Sequence, residues 1–276
     1  MQINMDLINI ERALITRYRD KLYRKFIKAI DEYDLIKKHD RIAVCISGGK
    51  DSLTLAKLFQ EIERHKDYNI SVKYIAMDPG FTKENLKALK DDCKKLGIPV
   101  DIKKSDVFAV SEKLGKDKPC YLCARMRRGF LYDYAQEQGC NKIALGHHFN
   151  DVIETILLNV LYGGEYKTMM PKLKAKNYRN MELIRPMVYI EEQDIANYIE
   201  YSQIKPMSCG CKFSLGNVDS KRKEVKELIS KLKIQFNNVD MNIYRSAENV
   251  NIDYILGYKK ANKKHLFLET YEDRDN

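Results

Sequence analysis

One short stretch of the chain has the residue types of a phosphate-binding site. An apolar run, Ile42–Ile46, is followed by the six residues Ser47-Gly-Gly-Lys-Asp-Ser52. Gly48 and Gly49 allow a sharp turn and a close approach of the backbone to a ligand. A helix that begins near Asp51 would offer unpaired N–H groups and the positive end of its dipole to an anion. The spacing is not that of a Walker A loop, because an aspartate follows the lysine where that pattern has Ser or Thr.

The polar residues of this stretch have different predicted roles. Ser47 and Ser52 can donate their hydroxyl protons to phosphate oxygens. The Asp51 carboxylate is better suited to bind Mg²⁺ than phosphate. We therefore expect a nucleotide site on this loop. The alternative is an ordinary glycine turn between a strand and a helix.

Four cysteines form a second candidate site. They occur as Cys120-x-x-Cys123 and Cys209-x-Cys211, two segments that are distant in sequence. A Cys-x-x-Cys pair can bind one metal ion or one cluster, and the neighbouring arginines favour the thiolate form. With a third thiolate from the second pair, a four-iron cluster would keep one iron open for chemistry. A structural zinc ion bound by all four cysteines is the alternative.

Composition limits the class of protein. The 276 residues can bury a full core, and the formal net charge of +10 favours a polyanionic partner over a neutral one. The sequence has seven cysteines and no recognisable export signal, so metal sites or free thiols are expected rather than disulfides. Cys45, Cys93 and Cys140 are predicted to be packing residues. No apolar run reaches the roughly 18 residues that span a bilayer, and we expect a cytoplasmic protein without a membrane segment.

Alternating apolar runs and helical periodicity predict an α/β fold with a doubly wound, mainly parallel sheet. The predicted domain organisation is a helical segment at 1–38, a nucleotide-binding domain at 39–218 and a basic helical tail at 219–276. Five strands are expected, at 41–46, 70–77, 99–102, 142–146 and 183–186. Ligands of such sheets bind beyond the carboxyl ends of the strands. Ser47, Asp78, Gly146 and Arg185 are therefore expected to converge in one crevice.

Two clusters of basic residues are candidates for contact with a nucleic acid. Residues 166–180 contain five basic residues and no acidic residue, and Tyr166 and Tyr178 are placed to stack on an unpaired base. Four further lysines lie between 259 and 264. The alternative is a solvated lysine loop. The residues predicted to contact RNA are Arg127, Arg128, Lys167, Lys172, Lys174 and Lys176.

Several motifs together resemble the tRNA 2-thiocytidine synthetase family of PP-loop ATP pyrophosphatases. The resemblance covers roughly residues 20–220. It includes the nucleotide loop, Cys120-x-x-Cys123 followed by Arg-x-Arg-Arg-Gly129, and Gly146-His-His-Phe-Asn-Asp-Val-Ile-Glu-Thr155. Tyr162-Gly-Gly164, Pro171-Lys-Leu173 and Ile184-Arg-Pro186 complete the set. The resemblance implies a PP-loop fold, ATP as a cofactor and a [4Fe-4S] cluster on three cysteines.

The resemblance also assigns residues. Cys120, Cys123 and Cys209 would be the cluster ligands, with Cys209 preferred over Cys211 as the first cysteine of its pair. The residues predicted to bind ATP are Ser47, Gly48, Gly49, Lys50, Asp51, Ser52, Met77, Gly146 and Asp151. The chain has Asn150 where the family has the first of two consecutive aspartates, and Ser208 where it usually has proline.

The implied reaction is thiolation of cytidine 32 in the tRNA anticodon loop. Lys50, Asp51 and Cys209 are the predicted catalytic residues, and Asp51 would hold Mg²⁺. The expected partners are the anticodon stem-loop of tRNA, a sulfur donor such as a cysteine desulfurase or free sulfide, and a second copy of the chain in a homodimer. One alternative is sulfur transfer to another tRNA pyrimidine or a small molecule. A different alternative is a non-catalytic nucleotide- and RNA-binding protein with structural zinc.

Overall fold

A computed structural model describes residues 5–65, 68–108, 110, 119–207 and 220–271. The chain divides into two compact units. The first, here called the sheet unit, comprises Met1–Val152 and Met169–Lys223. The second, the hairpin unit, comprises Ile153–Thr168 and Glu224–Asn276. The three-segment division expected from the sequence stays a prediction.

The sheet unit is built on one six-stranded sheet with the strand order β3-β2-β1-β4-β6-β5. All neighbouring strands are parallel except β5 and β6, which are antiparallel. The strands are β1 Arg41–Ile46, β2 Ser71–Asp78, β3 Val100–Lys104, β4 Lys142–Ala144, β5 Lys172–Lys174 and β6 Glu182–Ile184. The predicted α/β class with a mainly parallel sheet is confirmed.

The predicted number of five strands is wrong, because the antiparallel edge strand β5 was not expected. This strand has only three residues, and Leu173 is its single apolar side chain. Such a short, charged strand is typical of a sheet edge that must not pair with another chain. It carries no alternating apolar pattern by which the sequence could have revealed it.

Nine α-helices are present in the described ranges. They are α1 Met5–Ile15, α2 Arg24–Glu32, α3 Lys50–Arg64, α4 Lys83–Lys95, α5 Pro119–Glu137, α6 Phe149–Gly163, α7 Glu192–Tyr201, α8 Ser220–Gln235 and α9 Val239–Ser246. A π-helical turn at Arg19–Tyr23 precedes α2. The N-terminal segment is therefore helical, as predicted, although it is not one continuous helix.

The central strands are mostly apolar because both faces of the sheet are covered. In β1, every residue after Arg41 is buried. Ala43 and Cys45 pack in one cluster with Tyr132 and Ala135 of α5. Helix α3 also packs against β1 and β2. The strand ends are thereby held in fixed positions, which is what a site at the edge of the sheet requires.

The hairpin unit contains an antiparallel pair of strands, β7 Gly257–Lys260 and β8 Lys263–Leu266. The expectation of an entirely helical tail is therefore wrong for these residues, whereas α8 and α9 are helical as predicted. Ala261 and Asn262 both have positive φ, the geometry of a two-residue type I′ turn. Among the described residues, no helix is both long and apolar enough to span a membrane.

Candidate active site

A cavity of 310 Å³ lies at the carboxyl ends of β1, β2 and β4 in the sheet unit. Its walls include residues that the sequence assigned to the nucleotide. Its lining includes Ser47, Asp51, Ser52, Met77, Arg127, Leu131, Gly146, His147 and Asp151. Of the four residues expected to converge in one crevice, Ser47 and Gly146 line this cavity, and Arg185 contacts it through His147. The Asp78 side chain instead accepts hydrogen bonds from Gly80 and Phe81 in its own turn.

The loop between β1 and α3 is organised by the hydroxyl of Ser52. This oxygen accepts the backbone N–H of Ser47 at 3.1 Å and donates to the carbonyl of Gly49 at 2.9 Å. Gly49 is extended and occupies the N-cap position of α3, so the helix begins directly after it. The first N–H groups of α3 are thus presented at the loop, which is the arrangement that binds phosphate.

Two glycines are required at this loop by close approach of other segments. A Cβ atom on Gly146 would lie 3.0 Å from the backbone carbonyl of Asp51 and 3.1 Å from the amide nitrogen of Ser52. Gly48 has a φ of +84°, and a Cβ there would lie 2.8 Å from the sulfur of Met207. A side chain at position 146 would displace the first turn of α3, whereas at position 48 the left-handed backbone is the main reason for glycine.

Lys50 is held between two carboxylates. Its Nζ lies 3.0 Å from Oδ1 of Asp51 and 3.1 Å from Oε1 of Glu192. Burial by itself would lower the pKa of Lys50, but the two carboxylates outweigh it and the pKa is raised. Lys50 is therefore a cation at neutral pH, beside the loop where a triphosphate would lie. Glu192 belongs to the first turn of α7, and nothing near it in the sequence indicated this contact.

His148 lies between the two aspartates of the site. Its ring nitrogens are 3.8 Å from Oδ1 of Asp51 and 3.5 Å from Oδ2 of Asp151. The His148 backbone N–H also donates to Asp151 at 3.0 Å. Asp151 lies 3.3 Å from the Arg222 guanidinium of α8. Arg222 is a second contact that sequence reasoning missed, because the two residues are far apart along the chain.

The imidazole of His147 is fixed in one tautomer by Arg185. Nε of Arg185 donates to Nδ1 of His147 at 3.2 Å, and a terminal N–H of the same guanidinium donates to the carbonyl of Met170. Burial, together with the Arg185 cation, lowers the pKa of His147 to about 4. The neutral ring accepts at Nδ1, so its proton must be on Nε2. His147 thus contributes an N–H donor to the wall of the cavity.

One face of α5 connects Cys123 to the cavity. Arg127 and Leu131, which are four residues apart, both line the cavity. Cys123 precedes Arg127 by four residues in the same helix and therefore shares that face. The side chain of Cys120 lies outside the described residues. So do Cys209 and Cys211, the two candidates for the third ligand.

The segment that leads to the second cysteine pair is hydrogen-bonded to the nucleotide loop. Met207, the last described residue before that pair, donates its backbone N–H to the carbonyl of Gly48 at 3.0 Å.

The other three cysteines are buried. Burial raises the pKa of Cys45 and of Cys93 to about 12, and it also raises the pKa of Cys140. These three buried thiols are therefore unsuited to act as thiolates at neutral pH, in keeping with a packing role.

Comparison with known proteins identifies the family. A model of the PP-loop domain matches residues 18–207. A tRNA-cytidine(32) 2-sulfurtransferase from Coxiella burnetii is 38% identical over 258 residues, which are 92% of this chain and 98% of that protein. The enzyme of the same name from Syntrophotalea carbinolica is 37% identical and covers 86% of this chain and 93% of its own. The chain belongs to the tRNA-cytidine(32) 2-sulfurtransferase family.

A solved structure shares the fold of this family member. It is the U34-tRNA thiolase NcsA from Methanococcus maripaludis with its [4Fe-4S] cluster. The two chains are 23% identical, with a TM-score of 0.65 over 86% of this chain and 80% of that chain. This likeness supports the architecture of the sheet unit.

Asn150, the departure from the family pattern, has a structural role in this member. Its side-chain oxygen accepts the backbone N–H of Glu192 at 2.9 Å, at the start of α7. An aspartate could accept the same hydrogen bond. The substitution therefore preserves the contact that positions Glu192 beside Lys50.

The residues predicted to contact RNA are found in different environments. Arg127 is half-buried in the cavity wall, and Arg128 is exposed. Lys172 is paired with Asp34 at 3.3 Å, whereas Lys174 and Lys176 are exposed.

The last residue of this set, Lys167, and the stacking candidate Tyr178 differ in their suitability for RNA. Lys167 is exposed in the hairpin unit and pairs with Glu165 at 2.8 Å. The expectation that Tyr178 stacks on a base is wrong for this structure. Its ring already stacks on Tyr132 at 4.7 Å, and its hydroxyl donates to the carbonyl of Gly129.

Proposed function

We propose that this protein is an ATP-dependent tRNA thiolation enzyme that replaces the C2 oxygen of cytidine 32 with sulfur. The observation that carries the proposal is the hydrogen bond between Met207 and Gly48. It anchors the chain entering the second cysteine pair directly on the nucleotide loop. Activation by ATP and delivery of sulfur would then take place at one site.

The first cysteine pair supports the same conclusion from another direction. Cys123 lies on the face of α5 that carries Arg127 and Leu131 into the cavity wall. A ligand bound at Cys123 would therefore be close to the nucleotide loop. Zinc with a purely structural role would not need this position.

The loop residues have the donors that ATP requires. The N–H groups at the start of α3, the hydroxyl of Ser47 and the Lys50 cation would hold the β- and γ-phosphates and stabilise the departing pyrophosphate. We place the adenosine against Met77 and Gly146. The His147 Nε2–H and Asp151 would complete the wall of the site.

The donor set at Asp51 fits Mg²⁺. Within the described residues, Oδ1 of Asp51 is buried and receives no well-aligned hydrogen bond, although Lys50 lies 3.0 Å away. A carboxylate oxygen of this kind is a preferred Mg²⁺ ligand. The metal would supply positive charge to the pyrophosphate leaving group.

We propose that Cys120, Cys123 and Cys209 hold a [4Fe-4S] cluster. Thiolates are the usual ligands of such clusters, and Cys123 lies on the helix face that lines the cavity. With three protein ligands, the cluster would offer one iron to bind the sulfur that is transferred.

The reaction can be written so that its atoms balance. The C2 oxygen of cytidine attacks the α-phosphorus of ATP, a new O–P bond forms and the bond to pyrophosphate breaks. The oxygen is now part of an adenylate, which is a good leaving group. Sulfide then forms the C–S bond at C2, and AMP departs with the original oxygen. The Lys50 cation and the α3 N–H groups act in the first step, where negative charge accumulates.

The partners follow from this reaction. The net charge of +10 favours binding of tRNA, and the anticodon stem-loop holds the target base. We infer that sulfide reaches the site from a cysteine desulfurase or as the free ion, that the protein works in the cytoplasm where tRNA is modified, and that it forms a homodimer.

The proposal is tested by metal analysis and pyrophosphate release on anaerobically purified protein. We expect about four iron and about four sulfide per chain. We also expect pyrophosphate release that needs both ATP and tRNA. One equivalent of zinc without iron, or no pyrophosphate from the cluster-loaded protein, would contradict the proposal.

A matched pair of cysteine variants distinguishes a ligand from a packing residue. Cys123→Ala is expected to lose the iron, because one of three thiolates is removed. Cys93→Ala, which changes a buried cysteine of α4, is expected to keep it. Equal loss in both variants would show that the iron content reports folding and not ligation.

A further inference from the structure

The β7–β8 hairpin brings four lysines together as two cross-strand pairs. Lys259 lies opposite Lys264, and Lys260 lies opposite Lys263. Like charges directly across an antiparallel ladder destabilise it. The hairpin therefore carries an unfavourable arrangement that an anionic ligand would relieve.

Few charges within the protein offset this arrangement. Lys259 pairs with Glu165 at 3.2 Å, and Glu165 is shared with Lys167. The other three hairpin lysines are exposed and form no ion pair with any described residue. Residues 256–268 contain no acidic residue.

A groove of 950 Å³ lies beside the hairpin within the same unit. Tyr166, Tyr254 and Tyr258 line it, together with Lys259 and Lys264. Tyr254 is 88% exposed, an unusual value for a large aromatic side chain. Exposed tyrosines beside lysines are the combination that binds single-stranded nucleic acid, because the rings stack on bases and the cations bind phosphates.

We propose that the hairpin and this groove form a tRNA-docking surface. The lysines of β7 and β8 bind backbone phosphates, and Tyr254 stacks on an unpaired base. This inference rests on the proposed function for the identity of the RNA. A second copy of the chain is a poorer occupant, because a two-fold contact would bring the same uncompensated lysines together.

Removal of three lysines tests the phosphate contacts. The variant is Lys260→Ala/Lys263→Ala/Lys264→Ala, which leaves the Lys259–Glu165 pair intact. The tRNA affinity of the variant and of the natural protein is measured without ATP between about 50 and 200 mM salt. At about 200 mM salt the variant should bind at least about tenfold more weakly than the natural protein. Its slope of log affinity against log salt concentration should be less steep by about 2. The variant should fold at least as well as the natural protein, since like-charge repulsion is removed.

Two control variants accompany this measurement. Lys226→Ala/Lys231→Ala/Lys233→Ala removes the same formal charge from α8 in the same unit and should change tRNA affinity by less than about threefold. Replacing the three hairpin lysines by arginine should preserve binding. Equal weakening by the hairpin and α8 variants would overturn the proposal, because it would indicate a diffuse charge effect.

Tyr254 tests the stacking contact. Tyr254→Ala should weaken tRNA binding by about fivefold or more, whereas Tyr254→Phe keeps the ring and should preserve it. Tyr271→Ala, another exposed tyrosine of the unit, is the control. Unchanged tRNA affinity of Tyr254→Ala, together with a shift of the protein to a smaller oligomer, would assign the groove to a second copy and reject the proposal.

The outcomes separate this inference from the proposed function. If the natural protein forms 2-thiocytidine while the hairpin variants bind tRNA normally, the docking surface is wrong and the enzyme assignment stands. If the hairpin variants lose tRNA affinity and the natural protein forms no thionucleoside, the docking surface stands and the proposed reaction is wrong.

Discussion

The sheet unit and the hairpin unit differ sharply in how they treat hydrophobic side chains. In the sheet unit, the strands and the helices that cover them bury a continuous core around β1. In the hairpin unit, Ile234, Tyr254 and Leu256 are each more than four-fifths exposed. Most of the large hydrophobic residues that are exposed in the described part of the chain belong to the hairpin unit.

This difference corresponds to two functions, the positioning of reacting groups and the binding of a large partner. Displacements of about 1 Å at a reaction centre can cost a hundredfold in rate, so groups that react must be held by dense packing. A surface that meets a large, charged partner needs exposed aromatic and basic side chains instead. We therefore expect substitutions of comparable size to have large effects on reaction rate or stability in the sheet unit and small effects on these quantities in the hairpin unit.

The largest contrast is expected for two glycine substitutions. Gly146→Ala places a Cβ 3.0 Å from the backbone of Asp51 and should lower pyrophosphate release by about 10²–10³-fold, or about 3–4 kcal/mol. Gly163→Ala, at the end of α6, meets its nearest atom at 3.8 Å and should leave the rate within about twofold. Steady-state kinetics measure both, and similar losses in the two variants would refute the contrast.

Ion pairs should show a smaller version of the same contrast. Lys57 is buried, and its Nζ contacts Glu11 at 2.8 Å, so Glu11→Ala would leave a buried cation short of its partner. We expect a loss of about 2–3 kcal/mol in the free energy of unfolding, less than for a fully buried pair because Glu11 is partly exposed. In the hairpin unit, Lys233 pairs with Asp240 on the surface. Lys233→Ala should cost less than about 1 kcal/mol by urea unfolding.

The low pKa of His147 predicts a pH dependence of stability that belongs to the sheet unit. The folded protein binds a proton at His147 only below about pH 4, whereas the unfolded chain binds it below about 6.5. Stability from the neutral ring is therefore present above pH 6.5 and is lost as the pH falls towards 4. The loss should be on the order of 1–3 kcal/mol.

A substitution isolates this contribution from the other titrating groups. His147→Gln cannot ionise, so its unfolding free energy should fall less steeply than that of the natural protein between pH 6.5 and 4. Nitrogen NMR of the natural protein at pH 7 should also show a proton on Nε2 and none on Nδ1. A charged imidazole at pH 7 would disprove the contact with Arg185.

The smallest effect is expected at Asn150. Asn150→Asp keeps an oxygen acceptor for the Glu192 N–H and should leave activity within about twofold. Asn150→Ala removes the acceptor and should destabilise the protein by about 1 kcal/mol. A large loss of activity in Asn150→Asp would mean that this position does more than orient α7.

Local sequence was sufficient to predict where the nucleotide loop lies. Gly48, Gly49 and the apolar run before them are contiguous, and a strand followed by such a turn ends at the carboxyl edge of a parallel sheet. The same rule correctly placed Gly146 beside it, and Met77, which was assigned to ATP on other grounds, lines the same cavity. It misplaced Asp78, whose carboxylate is used by its own turn.

The contacts that the sequence did not reveal join residues that are far apart in the chain. Glu192 and Arg222 reach the site from α7 and α8, and neither belongs to a motif. Met207 had one signal, its position directly before the second cysteine pair. The hairpin was missed because its strands carry consecutive lysines instead of alternating apolar residues, and its Ala-Asn turn is a weaker indication than Asn-Gly.

The most direct test of the account is mass spectrometry of nucleosides from tRNA treated with the protein. Unmodified tRNA is incubated anaerobically with cluster-loaded protein, ATP, Mg²⁺ and sulfide, then digested to nucleosides. We expect 2-thiocytidine at position 32, and none when Asp51→Asn replaces the natural protein. Thiolation of a different nucleoside, or none at all in protein that carries the cluster and binds tRNA, would contradict the central claim.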